Sequence, residues 1–391
     1  IAGADAVIDG KAKSISGVRV LGRHRLQVRL TRPLGDFTAR LTMPFFCPIL
    51  PNTPVDPEGI DKPAGSGPYY VAERVTNQRT LLRRNRFYRG DRPANVDEIV
   101  WTGGVSIQAC ELAVAEDRAD FCGEPGAPRS AYRALAEAYG INRPGGQLFV
   151  RPSPATWMFV FNHDRPAFEG AGQIPLKKAI NFAIDRPELT RAAGYLGGKR
   201  TDQLLPPALG RAGSVYPLAG ADPVAARRWY ARAKHKPTTL VLYAWTIPPA
   251  LIFAQVLAHN LRQIGIELDV RYFAPLVALD KAATPGEPFD IVMIGWAADY
   301  ADGAGFFVPL LELSGVRLDV RLQRRLEAVN RLTGEARRRA WADLDVDMMR
   351  DNPPWAPFFH INNRAFVSKS LGCFLRHPIY RVDIAAVCKK R

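Results

Sequence analysis

Short apolar runs alternate with stretches of helical spacing between residues 239 and 294, and this alternation constrains the fold more than any other feature. Short runs rich in branched side chains are typical of buried strands, and longer amphipathic stretches are typical of helices. The predicted strands are 239–243, 266–270 and 289–294, and the predicted helices are 251–264 and 273–283. Strands that alternate with helices form a parallel sheet covered on both faces. The sequence therefore predicts an α/β fold.

The last of these strands leads into a loop that carries acidic and aromatic side chains. Residues 289–307 read FDIVMIGWAADYADGAGFF, and we expect Gly295 and Trp296 to end the strand. Asp299 and Asp302 would then lie just beyond its carboxyl end, the edge of an open α/β sheet where ligands bind. A ligand site is one interpretation of this loop. The alternative is that Trp296 belongs to the core and Asp299 caps the next turn.

The first third of the chain predicts two hairpins and a crossover unit. Residues 17–32 alternate apolar and polar positions around a turn, and residues 64–90 contain a glycine turn followed by two strands. A strand at 99–101, a helix at 107–115 and a strand at 119–122 form a βαβ pattern. Such a crossover implies that its two strands pair in parallel.

Two proline-bounded extended segments, 152–162 and 355–362, predict crossings between two domains, and a chain that crosses and returns forms a hinged cleft. Between them, two arginine-rich helices turn an apolar face inward. The residues expected on that face are Val320, Leu322, Leu326, Val329, Ala340, Trp341, Leu344 and Met348. Residues 382–387 predict a closing strand in the first domain.

Composition excludes several classes of protein. With 391 residues, of which 47% are hydrophobic, the chain can bury a large core and form two or more domains. It contains no run of about eighteen apolar residues, so we expect no transmembrane helix. The net charge of +15 is spread over predicted polar faces without a nucleic-acid motif, so we expect no nucleic-acid partner. The N-terminus lacks the pattern of a signal peptide, and we expect a chain that starts at Ile1 to be processed or truncated.

The spacing of the cysteines and the lack of enzyme motifs argue against a metal site and against catalysis. The five cysteines show no C-x-x-C spacing, so we expect no zinc site, and Cys373 and Cys388 flank strand-like segments that would place them opposite each other as a disulfide. No nucleophile elbow, P-loop, dinucleotide fingerprint or H-E-x-x-H motif occurs. Asp299 and Asp302 resemble a glycosidase pair only in type, because no second acid at a separate strand end accompanies them. We expect a binding protein without a cofactor.

Three segments resemble one known family. The order GW-x-x-DY-x-D-x-x-x-F after FDI resembles the signature loop of the extracellular solute-binding proteins, family 5, of ABC importers, which include oligopeptide- and dipeptide-binding proteins. The turn Gly-Ser-Gly-Pro-Tyr at 65–69 is similar to the Gly-Thr-Gly-Pro-Tyr turn of that family. LKKAINFAIDRPEL, which follows Phe161 and Asn162, is similar to its helix pair. The resemblance implies a two-lobed fold like that of type II periplasmic binding proteins, with a hinged ligand cleft.

The resemblance also implies roles for individual residues. In peptide-binding members, the residue at the position of Asp299 pairs with the α-ammonium group of the ligand. The backbone at Gly295 and Ala297 would run beside the ligand, and Trp296 would cover an apolar side chain. Trp245 follows another strand and is expected at the same edge. Met293 and the sequence Ala301-Asp302-Gly303 depart from the patterns of oligopeptide binders, and other members bind nickel complexes, opines or sugars.

On this basis we expect four regions: a remnant of a small extra domain with a hairpin at 1–52, part of lobe I at 53–150, lobe II at 151–355, and a C-terminal return to lobe I at 356–391. The implied function is the substrate-binding component of an ABC-type importer. It would capture a peptide or similar small solute and deliver it to the permease subunits as a monomer in the periplasmic or extracellular space, held at the membrane by the importer or a lipid anchor. The alternative is the solute-sensing domain of a transcription regulator.

Overall fold

The structure is a computed structural model that describes residues 1–56, 59–123, 127–210, 213–377, 379 and 381–390. The strands are β1 (Val18–Gly22), β2 (Arg25–Val28), β3 (Tyr69–Val75), β4 (Arg79–Arg84), β5 (Glu98–Thr102), β6 (Leu148–Phe161), β7 (Gly198–Arg200), β8 (Thr239–Trp245), β9 (Glu267–Phe273), β10 (Ile291–Ala297), β11 (Trp355–Phe366), β12 (Leu371–Gly372), β13 (Arg376–His377), β14 (Arg381–Val382) and β15 (Cys388–Lys389). The helices are α1 (Ala4–Ile8), α2 (Phe37–Arg40), α3 (Ile107–Ala115), α4 (Tyr132–Tyr139), α5 (Ile174–Ala183), α6 (Arg186–Ala192), α7 (Pro223–Tyr230), α8 (Ala250–Arg262), α9 (Pro275–Ala283), α10 (Ala304–Ser314), α11 (Val320–Arg331) and α12 (Gly334–Asp351).

A six-stranded sheet in the order β7-β11-β6-β10-β8-β9 organises the larger part of the molecule. The alternating strands and helices between 239 and 294 form as the sequence predicts, and β10 and β9 both run parallel to β8. The prediction of a parallel sheet is nevertheless wrong for the other half. The long strands β6 and β11 pair antiparallel with each other, and β6 pairs antiparallel with β10, because both crossing segments insert into the sheet.

The expected end of β10 at Gly295 is also wrong. The strand continues to Ala297, in register with β6, so that Gly295 lies opposite Trp157 and Ala297 opposite Ala155. The indole of Trp157 explains why a glycine does not interrupt the strand, since a Cβ at Gly295 would lie 2.9 Å from that ring. The ring takes the place of the missing side chain.

The core lies on both faces of the sheet. One face carries Trp157, Phe159 and Phe161 of β6 and packs against α5, α6 and α8. The other carries Met158 and Val160 of β6 and packs against α10 and α12. This alternation follows from the two-residue period of a strand, which sends neighbouring side chains to opposite faces. The predicted inward face of α11 and α12 is wrong at Val320, which is 61% exposed at the first residue of α11, whereas Trp341, Leu344 and Met348 are buried.

The smaller sheets correct two further predictions. Both hairpins form, but β5 pairs antiparallel with β4 at the edge of the sheet β3-β4-β5, and there is no parallel partner for it at 119–122. Phe121 instead makes a single antiparallel bridge to Val367. A disulfide between Cys110 and Cys122, which the sequence analysis missed, ties this segment to α3 rather than to β5.

The C-terminal segment closes with a disulfide beside the short strand pair β12 and β15. Cys373 and Cys388 form the predicted bond, at the point where Gly372 of β12 pairs with Cys388 of β15. The predicted strand at 382–387 is wrong, because the carboxylate of Asp383 accepts a hydrogen bond from the backbone N–H of Ala385 (3.1 Å) and folds the segment into a turn. Among the described residues, no helix has both the length and the apolar character that crossing a membrane requires.

Candidate functional site

The carboxyl ends of β8 and β10 lie at one edge of the six-stranded sheet because these two strands are parallel neighbours. β8 ends at Trp245 and β10 ends at Ala297. The pairing between the two strands covers only Ile291 with Leu242 and Val292 with Tyr243. The pairing extends no further along β10, and half of the backbone polar groups of a strand point toward each neighbour. The backbone of Gly295 and Ala297 is therefore not paired with β8 on that side.

Asp299 follows β10 and is the exposed carboxylate at this edge. It has no hydrogen bond or ion pair with any residue in the described part of the chain, and partial burial raises its pKa above the usual value for Asp. The alternative role as a turn cap is wrong, since the neighbouring Asp302 performs it: its Oδ1 accepts the backbone N–H of Ala304 at the start of α10 (2.9 Å). Asp299 is thus a carboxylate that the fold itself does not use.

Asp302 lies three residues further on and is held in a buried ion pair. Its two oxygens accept hydrogen bonds from Nε and Nη2 of Arg337 at 2.7 and 2.8 Å, and Oδ1 also accepts the indole N–H of Trp341 at 3.2 Å. The Arg337 side chain is 2% exposed. Bidentate pairs of this kind are the geometrically most specific of protein ion pairs. Asp302 therefore anchors the loop to α12.

Tyr300 anchors the same loop to the N-terminal segment. Its hydroxyl donates to Oδ2 of the buried Asp36 (3.0 Å), which also accepts a hydrogen bond from Arg40 (2.9 Å). Hydrogen bonding and burial together fix the ring, and burial raises the pKa of Tyr300. Arg337 reaches Asp36 at 3.8 Å, so one arginine bridges the two anchors. The sequence analysis missed Asp36 and Arg337, although Arg337 precedes Trp341 and Leu344 by four and seven residues, the spacing of one helix face.

Two tryptophans flank the edge, as predicted. The indole N–H of Trp296 donates to the backbone carbonyl of Gly305 (2.8 Å), so α10 holds the ring beside the loop, and the side chain is partly exposed. Trp245 is also partly exposed and packs edge-on against Trp157, with ring centroids 4.8 Å apart. Its indole N–H is buried and finds no hydrogen-bond partner within the described ranges. The edge thus combines aromatic surface, one unused N–H and one unused carboxylate.

This combination suits an organic cation rather than a metal. No group of three or more His, Cys, Asp or Glu side chains that could hold a metal ion lies within the ranges that the structure describes. A carboxylate beside aromatic rings attracts an ammonium group through both its charge and the ring faces.

The chain is similar to known proteins along most of its length. A family model described as bacterial extracellular solute-binding proteins, family 5, middle part, matches residues 3–316. The probable di/tripeptide-binding protein 5 of Pseudomonas aeruginosa (strain UCBPP-PA14) is 23% identical over 404 residues, covering 96% of this chain and 73% of that protein. The probable ABC transporter periplasmic-binding protein SapA of Escherichia coli (strain K12) is 22% identical, covering 80% of this chain and 57% of that protein.

The fold is shared with solved structures. The structure of clavulanic acid biosynthesis oligopeptide binding protein 2 matches with a TM-score of 0.83 at 20% identity, over 97% of this chain and 73% of that chain. This chain therefore spans only part of the length of each of these relatives. The structural match confirms the predicted fold class, a two-lobed α/β fold of type II.

Proposed function

The chain belongs to the bacterial extracellular solute-binding proteins of family 5, and from that premise we propose that it is the substrate-binding component of an ABC-type importer for short peptides. Its ligand would lie at the carboxyl ends of β8 and β10, between two lobes that close around it. The protein would act in the periplasmic or extracellular space and present the ligand to the transmembrane permease subunits. Relatives named as di/tripeptide- and oligopeptide-binding proteins support the choice of ligand class.

The unpartnered carboxylate of Asp299 carries the proposal. Every other polar group of the loop that the signature motif contains is already engaged: Trp296 with Gly305, Tyr300 with Asp36, and Asp302 with Arg337. Partial burial raises the pKa of Asp299, so a cation that pairs with it relieves an unfavourable environment. The α-ammonium group of a peptide is such a cation, and a charge-assisted hydrogen bond to it contributes about 1.5 to 3 kcal/mol.

The backbone at the end of β10 that is not paired with β8 supports an extended ligand. A peptide that lies along Gly295 and Ala297 would bond to backbone groups that β8 does not reach, as an added strand does. Such contacts tolerate different side chains. Trp296 and Trp245 would cover apolar side chains of the ligand, and the buried N–H of Trp245 would reach a ligand oxygen if the ring turns on binding.

The paired strands β6 and β11 supply the connection between lobes that this function requires. Their pairing runs from Leu148 with Phe366 to Val160 with Trp355, with register shifts between Pro357 and Phe359 and between His360 and Asn362. We infer that lobe II comprises 151–355, that 53–150 and 356–391 belong to lobe I, and that 1–52 forms a further region. Closure of the two lobes would then bend β6 and β11 together. A ligand bound between the lobes would favour this closed arrangement.

The test compares Asp299→Asn with the unchanged protein by calorimetry against a dipeptide and tripeptide library. We expect the substitution to weaken binding by about 2 to 5 kcal/mol, the range for truncating one partner of a buried charge pair. N-acetylated peptides, which lack the ammonium group, should bind poorly to both proteins.

Asp343→Asn is the matched control, because Asp343 is an exposed aspartate of α12 without a hydrogen bond or ion pair among the described residues. It should leave peptide affinity unchanged. Equal peptide affinity of Asp299→Asn and the unchanged protein would contradict the proposed pairing of Asp299 with the ammonium group of the ligand.

A further inference from the structure

A second cavity, of about 490 Å³, lies at the opposite edge of the six-stranded sheet, between the end of β6 and the helices α5, α11 and α12. β6 runs antiparallel to β10, so its last residue, Phe161, pairs with Ile291 at the start of β10, whereas Ala155 pairs with Ala297. The full length of β10 therefore separates this cavity from Asp299.

Lys177 of α5 lines the cavity and is 1% exposed. Its ammonium group makes no hydrogen bond and no ion pair with any residue in the ranges that the structure describes. Burial lowers the pKa of Lys177 to about 8. An unpaired ammonium group away from water costs several kcal/mol, and buried charges in proteins are normally paired. The fold thus maintains a buried cation without supplying its counterion.

His163 lines the same cavity and supplies a hydrogen-bond acceptor. Its Nδ1 lies 3.1 Å from the carbonyl oxygen of Phe161 and 3.1 Å from that of Ser314. Both oxygens are acceptors, so Nδ1 carries the proton. Burial, reinforced by the charge of Lys177, lowers the pKa of His163 to about 3, which leaves Nε2 as a bare lone pair. Nε2 is buried and has no hydrogen-bond partner among the residues that the structure describes.

Asn352, which follows α12, supplies a second acceptor. Among the described residues, its side-chain oxygen is buried without a partner, and the residue lines the same cavity. Four acidic side chains line the cavity, and none of them makes an ion pair with Lys177 in the described part of the chain. Asp347 is paired with Arg325 at 2.8 Å, and Asp319 accepts the backbone N–H of Leu322 at 2.7 Å. The other two are Glu169 and Asp351.

We propose that this cavity is a second ligand site, separate from the peptide cleft, that binds a small carboxylate anion carrying a hydroxyl or ammonium group. The carboxylate would pair with Lys177, and the hydroxyl or ammonium group would donate to His163 or Asn352. The wall also carries Arg317, Arg321 and Arg325, but Lys177 is the buried cation among these four. A buried, unpaired ammonium group together with two unpartnered acceptors matches this chemistry and disfavours an apolar molecule. Ordered water is the competing occupant, since it can both donate to and accept from buried polar groups.

The test uses glycolate, a carboxylate with one hydroxyl group, and acetate, which lacks the hydroxyl group, in calorimetric titrations at constant ionic strength set with chloride. Glycolate should bind saturably at one site and more tightly than acetate, because its hydroxyl group can donate to one of the two acceptors, whereas acetate leaves both unsatisfied. Lys177→Met should weaken glycolate binding at least about tenfold. The matched control is Lys178→Met, whose ammonium group lies over the ring of Trp229 (4.9 Å) outside the cavity. It should bind glycolate as the unchanged protein does.

A second variant keeps the test decisive if Lys177→Met does not fold. Asn352→Asp places a fixed carboxylate in the cavity, which should repel glycolate and weaken its binding by at least about tenfold. The proposal is overturned if the unchanged protein shows no saturable binding of glycolate, which means that water fills the cavity. Equal binding of glycolate by Lys177→Met or Asn352→Asp would overturn it as well.

Discussion

The two edges of the six-stranded sheet each hold an ionisable side chain without a partner, but of opposite charge. Asp299 at the carboxyl end of β10 is exposed, whereas Lys177 beside the end of β6 is almost fully buried. Burial moves both pKa values toward the neutral form: it raises that of Asp299 and lowers that of Lys177. The same physical cause therefore supports both proposed sites, one for a cation and the other for an anion. The cost to the folded state should be much larger for Lys177 because its desolvation is more complete.

Asp302 is the contrasting case, a carboxylate whose charge is paired within the chain. It lies in the same loop as Asp299, but Arg337 and Trp341 occupy its oxygens. Three predictions test the contrast between the charges that the fold uses and those that it leaves unpaired.

The largest effect is expected for Arg337→Met. This change leaves the buried carboxylates of Asp302 and Asp36 without their shared cation, and removing one partner of a buried ion pair costs about 3 to 5 kcal/mol. Denaturant unfolding should show that loss. Arg338→Met is the control, because the exposed pair of Arg338 with Glu335 should contribute no more than about 1 kcal/mol. A similar change in both variants would contradict the assignment of Arg337 as the structural anchor.

A smaller effect of the opposite sign is expected for Lys177→Met without ligand. Because the pKa of Lys177 falls from 10.5 to about 8 on folding, the unfolded chain holds this proton more tightly, which corresponds to about 3 kcal/mol of destabilisation below pH 8. The variant should therefore have the higher free energy of unfolding near neutral pH. This difference in the free energy of unfolding should become smaller as the pH rises above about 8, where Lys177 of the unchanged folded protein loses its proton. A difference between the two proteins that does not change with pH would show that Lys177 has a normal environment.

The smallest effect is expected for Asp299→Asn without ligand. The raised pKa of Asp299 means that ionisation slightly opposes folding, so this contribution is absent at low pH and appears as the pH rises through the raised pKa. At neutral pH the variant should be equally stable or slightly more stable, within about 0.5 kcal/mol. Thermal unfolding measures this difference. A clear loss of stability would mean that Asp299 supports the fold and would weaken the contrast with Asp302.

Local pattern predicted the elements around the proposed peptide site well. The strands β8 to β10, the helices between them and both hairpins follow from apolar periodicity and turn residues, and the pairing of Cys373 with Cys388 follows from the strand-like segments beside them. The sequence also identified the loop with Asp299 and Trp296, whose ligand-binding role stays a prediction. The alternative role of Asp299 as a cap failed because two carboxylates lie three residues apart, and only the tertiary contacts of Asp302 decide which of them is engaged.

By itself, the sequence determined the α/β class, the order of most elements and the family signature, because periodicity, turn chemistry and motif spacing act over a few residues. Only the tertiary structure decided that β6 and β11 join the sheet antiparallel, that Cys110 pairs with Cys122, and that Arg337 serves Asp36 and Asp302. It alone brought Lys177, His163 and Asn352 to one cavity. These are contacts between residues distant in sequence, and whether a buried charge has a partner depends on which distant groups the packed chain brings within a few ångströms of it.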